Sequence, residues 1–371
     1  MKMKMTSLIN VTSAIWSMFG HDSLHSFNSQ FIGPISKPLS PKWSINLESS
    51  VIESSPAISS DGGIFVGTRS SNLHRLSSSG EKNWVSKNAG CELSSPTISL
   101  DEETVFCGSL SSKFNALYTN NGKLKWSYDT RGAVWGASTL SDSGSVIYFG
   151  SFSSSGGAIH AVDSEKGIKI WKVDAPDSVR AAPAVYNNLI YIGDYSGRFV
   201  ALSALTGKTI WTATVGDSIR SSAAIVLDLV IFGSYDNFVY ALNSTNGKRV
   251  WKTKTKNWVQ SSPAIYNNSI AVIGSWDGSV YGINVTNGAI AWSTEIGSAV
   301  WASAVIDADG QAFVGSEGGS GQKGAAVTCF DASTGKTSWT LTFEGSVEAS
   351  TVINSEGGLI VASGNGTVEM F

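Results

Sequence analysis

Eight tryptophans punctuate this 371-residue chain at Trp43, Trp84, Trp126, Trp171, Trp211, Trp251, Trp292 and Trp339. The successive spacings are 41, 42, 45, 40, 40, 41 and 47 residues. A period near forty is the length of one four-stranded propeller blade. All but the first follow a short turn that ends in glycine, from SSSG at 77–80 to ASTG at 332–335. The stretch GSYDNFVYALNSTNGKRVW at 233–251 shows the unit most clearly: an alternating strand containing Tyr240 and Leu242, a turn, then a strand carrying Val250 and Trp251. Asn246-Gly247 predicts a two-residue hairpin turn with both residues at positive φ. A hairpin this short cannot bury its apolar face alone and needs neighbours of its own kind.

Two further elements recur between the tryptophans. SSPAI at Ser54, SSPTI at Ser94, GASTL at Gly136, AAPAV at Ala181, SSAAI at Ser221, SSPAI at Ser261, ASAVI at Ala302 and ASTVI at Ala349 predict an inner strand A. IFVG, VFCG, IYFG and their counterparts predict a strand B that ends near a glycine, followed by strands C and D. The chain starts with a D strand at Trp43 and finishes with an A-B-C set, so the N-terminal strand completes the last blade and closes the ring. Closure removes the free sheet edges that template aggregation. The expected fold is all-β: an eight-bladed β-propeller at 41–371, preceded by an extension or cap at 1–40. The two longest spacings place insertions in B–C loops at Ser153–Gly157 and Gly318–Gly324.

Composition fits and narrows this. With 39 glycines, 10% aromatic and only 15% charged residues, the chain suits short strands joined by tight turns. A net charge of -3 offers no basic stripe, so nucleic acid is not an expected partner. No membrane-spanning apolar run occurs. Cys91, Cys107 and Cys329 form neither an adjacent pair nor a C-x-x-C, and the expectation is three buried free thiols in a reducing compartment. Two lysines and a weakly apolar stretch interrupted by Asn10, Thr12 and Ser13 make a poor signal peptide, so cytoplasm is the expected location. Five N-x-S/T sequons, at Asn10, Asn243, Asn267, Asn284 and Asn365, are of the kind turn-rich chains generate by chance. His21, His25, His74 and His160 lack metal-ligand spacing and are expected at the surface or in loops. Asp194, Asp236 and Asp277 recur in B–C turns, where aspartate binds its own backbone more readily than calcium.

Function must lie where the repeat breaks. The residue before the small pair of each strand A is, in blade order, Glu53, Leu93, Trp135, Arg180, Arg220, Gln260, Trp301 and Glu348. In an eightfold ring, members four apart face each other. Trp135 then faces Trp301, Glu53 faces Arg220, Arg180 faces Glu348 and Leu93 faces Gln260. A second tier follows each B strand: Arg69, Leu110, Phe152, Tyr195, Tyr235, Trp276 and Glu317. Four of the five tryptophans outside the repeat, Trp135, Trp258, Trp276 and Trp301, map to this same end of the central channel. The expected site is a funnel that sandwiches a flat or cationic group between two indoles and orients it by charge. The competing reading is a channel plugged by Glu–Arg ion pairs, with the tryptophans filling space.

The pattern in ALSALTGKTIW, ALNSTNGKRVW and CFDASTGKTSW resembles the pyrroloquinoline-quinone-like propeller repeat, and WSMFGHDS resembles a segment that often precedes such propellers. The resemblance implies that the repeat tryptophans dock between blades. It spans quinoprotein dehydrogenases, the outer-membrane assembly factor and binding propellers, so three functions are open. The first is binding of a small organic molecule, glycan or peptide by Trp135, Arg180, Arg220, Gln260, Trp301, Tyr195, Tyr235 and Trp276. The second is catalysis, with Glu53 or Glu348 as general acid or base and no cofactor. A quinone-and-calcium version is disfavoured, because the dehydrogenases carry an adjacent cysteine pair that this sequence lacks. The third is an interaction scaffold. No metal and no cofactor are expected, and the chain is expected to act as a monomer.

Overall fold

A computed structural model describes residues 16–38, 40–47, 52–318 and 324–371. Its strands form eight separate four-stranded antiparallel sheets, each running A-B-C-D in order. In the last sheet, Val352–Ile353, Leu359–Ala362 and Thr367–Met370 are completed by Trp43–Asn46 from the start of the chain. Trp43 pairs with Met370 and Asn46 with Thr367, so the two ends are joined by a strand ladder. The fold is the eight-bladed β-propeller that the forty-residue period requires.

The blade around Trp251 shows how sequence becomes structure. Ala224–Val226, Leu229–Gly233, Phe238–Asn243 and Arg249–Lys254 are its four strands. A bulge between Ala241 and Leu242 lets two residues of strand D oppose one of strand C, and the same irregularity recurs in the other six C–D hairpins. Val250 is thereby left 50% exposed, while Trp251 turns inward to 7%. The C–D turn is longer than Asn246-Gly247 suggested. Only Gly247 has positive φ, at 69°, and its N–H closes the turn on the Asn243 carbonyl. The Asn243 side chain shapes the loop by accepting from the N–H groups of Thr245 and Asn246.

Neighbouring blades interlock through these two residue types. The indole N–H groups of Trp43, Trp84, Trp126, Trp171, Trp211, Trp251 and Trp292 each donate to a carbonyl in the next blade's turn, at 2.7 to 3.1 Å. A Cβ on Gly247 would lie 2.5 Å from the Trp211 ring, so glycine is required there for contact as well as for φ. Between blades, stacked rings such as Phe114–Phe149 and Phe199–Phe232 fill the core, with centroids 3.9 and 4.2 Å apart. The closing blade has no C–D turn, because its outer strand comes from the N-terminus. Trp339 donates instead to the carbonyl of Pro34, at 3.2 Å.

Strand A is shorter than the repeated pentapeptide. Only its last two or three residues, such as Ala57–Ile58, pair with strand B. Proline precedes the pairing residues at Pro56, Pro96, Pro183 and Pro263 and has no N–H to offer. The N-terminal segment threads along these inner strands. The amides of Ile58, Ile98, Val185, Ile225, Ile265 and Ile306 donate to the carbonyls of Trp16, Ser17, Ser23, Leu24, Ser26 and Phe27, respectively. The segment is thus a strap bonded to six of the eight inner strands.

Several expectations need correction. Cys91 and Cys107 are joined in a buried disulfide, with Cα atoms 4.9 Å apart, and only Cys329 is free. Spacing in the chain hid a pair that the turn between two blades brings together. His74 and His160 are buried in strands rather than at the surface or in loops, whereas His25 lies in a loop, though buried. His160 is bonded by Ser151 and Tyr128 and stacks on Phe149, and burial pushes its pKa down to about 3. The first long spacing is a lengthened hairpin, Val146–Ser153 with Gly156–Asp163, rather than a loop insertion. Most of the second, and Asn10, lie outside the described residues. Asp194, Asp236 and Asp277 bind turn amides and nearby hydroxyls, as their local chemistry predicts.

Trp251→Phe keeps the apolar contact but removes the donor to the Val285 carbonyl. It is expected to lower the unfolding free energy by about 1–3 kcal/mol in a denaturant titration; an unchanged midpoint would refute the bond's importance. Replacing both Cys91 and Cys107 by serine opens a link of sequence separation 16 and is expected to lose about 3 kcal/mol. Thiol titration of the denatured, unreduced chain should find one thiol; finding three would disprove the bridge.

Candidate functional site

The eight residues predicted to ring the axis come together. Glu53, Leu93, Trp135, Arg180, Arg220, Gln260, Trp301 and Glu348 all line one cavity of about 110 Å³. Phe19 from the strap lines it too. Sequence reasoning missed Phe19. The one signal was that its segment breaks the repeat.

Charge is arranged differently from either expectation. The guanidinium carbon of Arg180 lies 4.5 Å from the ring centroids of Trp135, Phe152 and Tyr195. That of Arg220 lies 4.8 Å from Trp135 and 5.6 Å from Trp301. Arg220 therefore occupies the gap between the two facing indoles where a ligand was expected, and each such contact is worth about 0.5–2 kcal/mol. Its Nη1 also donates to Gln260 Oε1, at 3.2 Å, and the Tyr235 hydroxyl donates to the same oxygen at 2.7 Å. The plugging ion pairs are not formed either. Glu53 bonds Arg69 at its own blade's rim, at 2.6 Å, and among the described residues no ion pair joins Arg180 or Arg220 to a carboxylate.

The rim continues as an aromatic arc. Trp276 stacks on Trp301 with centroids 4.6 Å apart, Trp258 lies 4.8 Å from Trp276, and Trp258 stacks nearly parallel on Tyr235 at 4.7 Å. Tyr195 follows at 6.2 Å from Tyr235. Burial pushes the Tyr235 hydroxyl up to about 12, so it remains a neutral donor. The other side of the cup is acidic. The Trp301 indole donates to Glu317, and Ser346 donates to Glu348. Burial raises the pKa of Glu348, and the neighbouring Glu53 and Glu317 raise it further, against the Ser346 bond and Arg220. The eighth rim position is Gly364, which leaves a gap in the second tier.

The fold defines an eight-bladed β-propeller with a lined cavity on its axis. The family described as "Beta-alanine-activating enzyme, beta-propeller" matches residues 136–369, more than half of the chain, and the chain belongs to that family. No curated protein matches in sequence. Among solved structures, the chain is similar to BamB from Moraxella catarrhalis, with 18% identity over 90% of this chain and 97% of that one and a TM-score of 0.73. It is also similar to the quinohemoprotein alcohol dehydrogenase from Comamonas testosteroni, with 16% identity, 96% and 80% coverage and a TM-score of 0.78. A europium-containing methanol dehydrogenase gives 13%, 95% and 90% coverage, and 0.77. Identities this low establish a shared fold and nothing about activity.

Because the folded chain holds Glu348 at a raised pKa, it binds more protons than the unfolded chain between the ordinary carboxyl value and the raised one. Stability from this group therefore falls as pH climbs through that window. Glu348→Gln should match the parent in melting temperature below the window and exceed it above, in scans from about pH 4 to about pH 8. A constant difference across that range would show that Glu348 titrates normally.

Proposed function

We propose that the cup binds a small organic ligand bearing a flat group, with the aromatic arc supplying contact and Arg180 and Arg220 supplying direction. One observation carries this reading: both arginines are half-buried in an open cavity, are held by ring faces, and have no carboxylate partner among the described residues. Burying cations without pairing them costs free energy, and an incoming ligand could offset that cost. A cavity of about 110 Å³ favours a small molecule over a glycan chain or a peptide. The rings themselves offer broad contact at low entropic cost.

A second reading has its own support. Glu348, with a raised pKa beside Glu53 and Glu317, has the properties of a general acid, and Glu53 next to it is held by Arg69. The quinone reading does not fit. Arg220 fills the space between the indoles, no three His, Cys, Asp or Glu side chains among the described residues converge to hold a metal ion, and the Cys91–Cys107 bridge joins cysteines that are not adjacent in the chain. That bridge supports a compartment that permits disulfides, in place of the reducing one inferred from free thiols.

The test is a panel of small aromatic and heteroaromatic compounds titrated against tryptophan fluorescence, repeated on a Trp135→Ala/Trp301→Ala double variant of verified β-sheet content. Hits should lose at least about tenfold in affinity in the variant. Unchanged affinities in a folded variant would reduce the cup to packing. Turnover of any hit that vanishes in Glu348→Gln would move the reading to catalysis.

A further inference from the structure

One tier deeper, below the ring of varied residues, the cup narrows to a neck of small side chains. Ser55, Ser95, Ser222, Ser262, Ser303 and Ser350 line it, with Ala137 and Ala182 completing the eight. Five of these hydroxyl oxygens accept the backbone N–H of the corresponding residue one blade earlier: Ser95 from Ser55, Ser262 from Ser222, Ser303 from Ser262, Ser350 from Ser303, and Ser55 from Ser350 across the ring closure. Ser222 accepts from Ala182 in the same way. The distances run from 2.8 to 3.1 Å. The chain of bonds lapses only where alanine replaces serine.

A hydroxyl that accepts in this way still has its own hydrogen to give. None of the six donates a hydrogen bond to another described group, and each is 3 to 6% exposed while facing the cup. Buried donors are nearly always matched, so six convergent O–H groups call for an acceptor on the axis. The tier above decides what kind. Arg180 and Arg220 stand on one side of it with no ion pair to a carboxylate among the described residues, and the Nε of Arg180 is buried without a hydrogen-bond partner among them. Glu53 and Glu348 on the far side repel an anion at their own level and favour its seating deeper, among the hydroxyls.

We propose that the neck is an anion subsite: the carboxylate, or a comparable oxyanion, of the bound ligand enters first and takes hydrogen bonds from the serine ring and Arg220, while its flat body stays in the aromatic tier. This rests on the reading of the cup as a ligand site and adds the ligand's chemical class and orientation. Charge-assisted bonds from hydroxyl and guanidinium groups discriminate strongly between an anion and its neutral isostere.

Benzoate, benzamide and benzylamine are suitable probes, since they present the same ring with an anionic, a neutral and a cationic head. Titrated against the tryptophan fluorescence of the full chain, benzoate should bind at least about tenfold more tightly than benzamide, weaken with added salt, and exceed benzylamine further. Arg220→Met should remove most of the preference for benzoate over benzamide. Equal or tighter binding of benzamide or benzylamine would overturn the anion subsite and leave the cup as a ligand site. Silence from all three also overturns it, and the broader panel then decides the reading beneath. The comparison on the parent chain stands even if the Arg220 variant fails to fold.

Discussion

The innermost strand of each blade is paired on one side only, and its free edge faces the axis. In an eight-bladed ring this leaves a circle of backbone N–H groups in a water-poor interior, where an unpaired group is costly. Two devices satisfy them. At one level the serine hydroxyls of the following blade accept, from Ser55 to Ser95 and onward around the closure. At the next, six amides donate to the strap that contains Trp16 and Phe27. The strap is therefore a structural part of the propeller, and Phe19 reaches the cavity lining as a by-product of capping those edges.

The outer part of the ring depends on a reciprocal fit between tryptophan and glycine. Seven indoles bond a turn carbonyl and lie against the glycine of that turn, and each of those turns needs glycine for its φ. Because the frame is repeated eight times, a residue that differs at one blade costs the others nothing. This frees the axial positions to diverge, and there the chain has placed its arginines, carboxylates and spare tryptophans.

That separation governs what could be read from the sequence. Trp43 through Trp339 fix the blade count, and the half-blade at Trp43 fixes the mode of closure, because both follow from period and order alone. The members of the axial ring were legible for the same reason, as variable residues with monotonous flanks. Their partners were not. Glu53 turns to Arg69 in its own blade and not across the axis to Arg220, and Arg220 reaches sideways between two indoles. A long flexible side chain in a conical space chooses among several neighbours, and symmetry says nothing about which one it chooses.

The sequence by itself determined the frame: all-β, eight blades, closure by the N-terminal strand, and a ring of non-repeating residues at one mouth. These follow from local periodicity and turn chemistry, which short segments encode. Only the tertiary structure decided that Cys91 meets Cys107, that Phe19 joins the lining of the cup, that the two facing tryptophans hold an arginine, and that six serines turn unused hydroxyls inward. Each of these is a contact between residues distant in the chain. It is set by where the closed ring leaves space and unsatisfied hydrogen-bonding groups, and neither exists until the ring has closed.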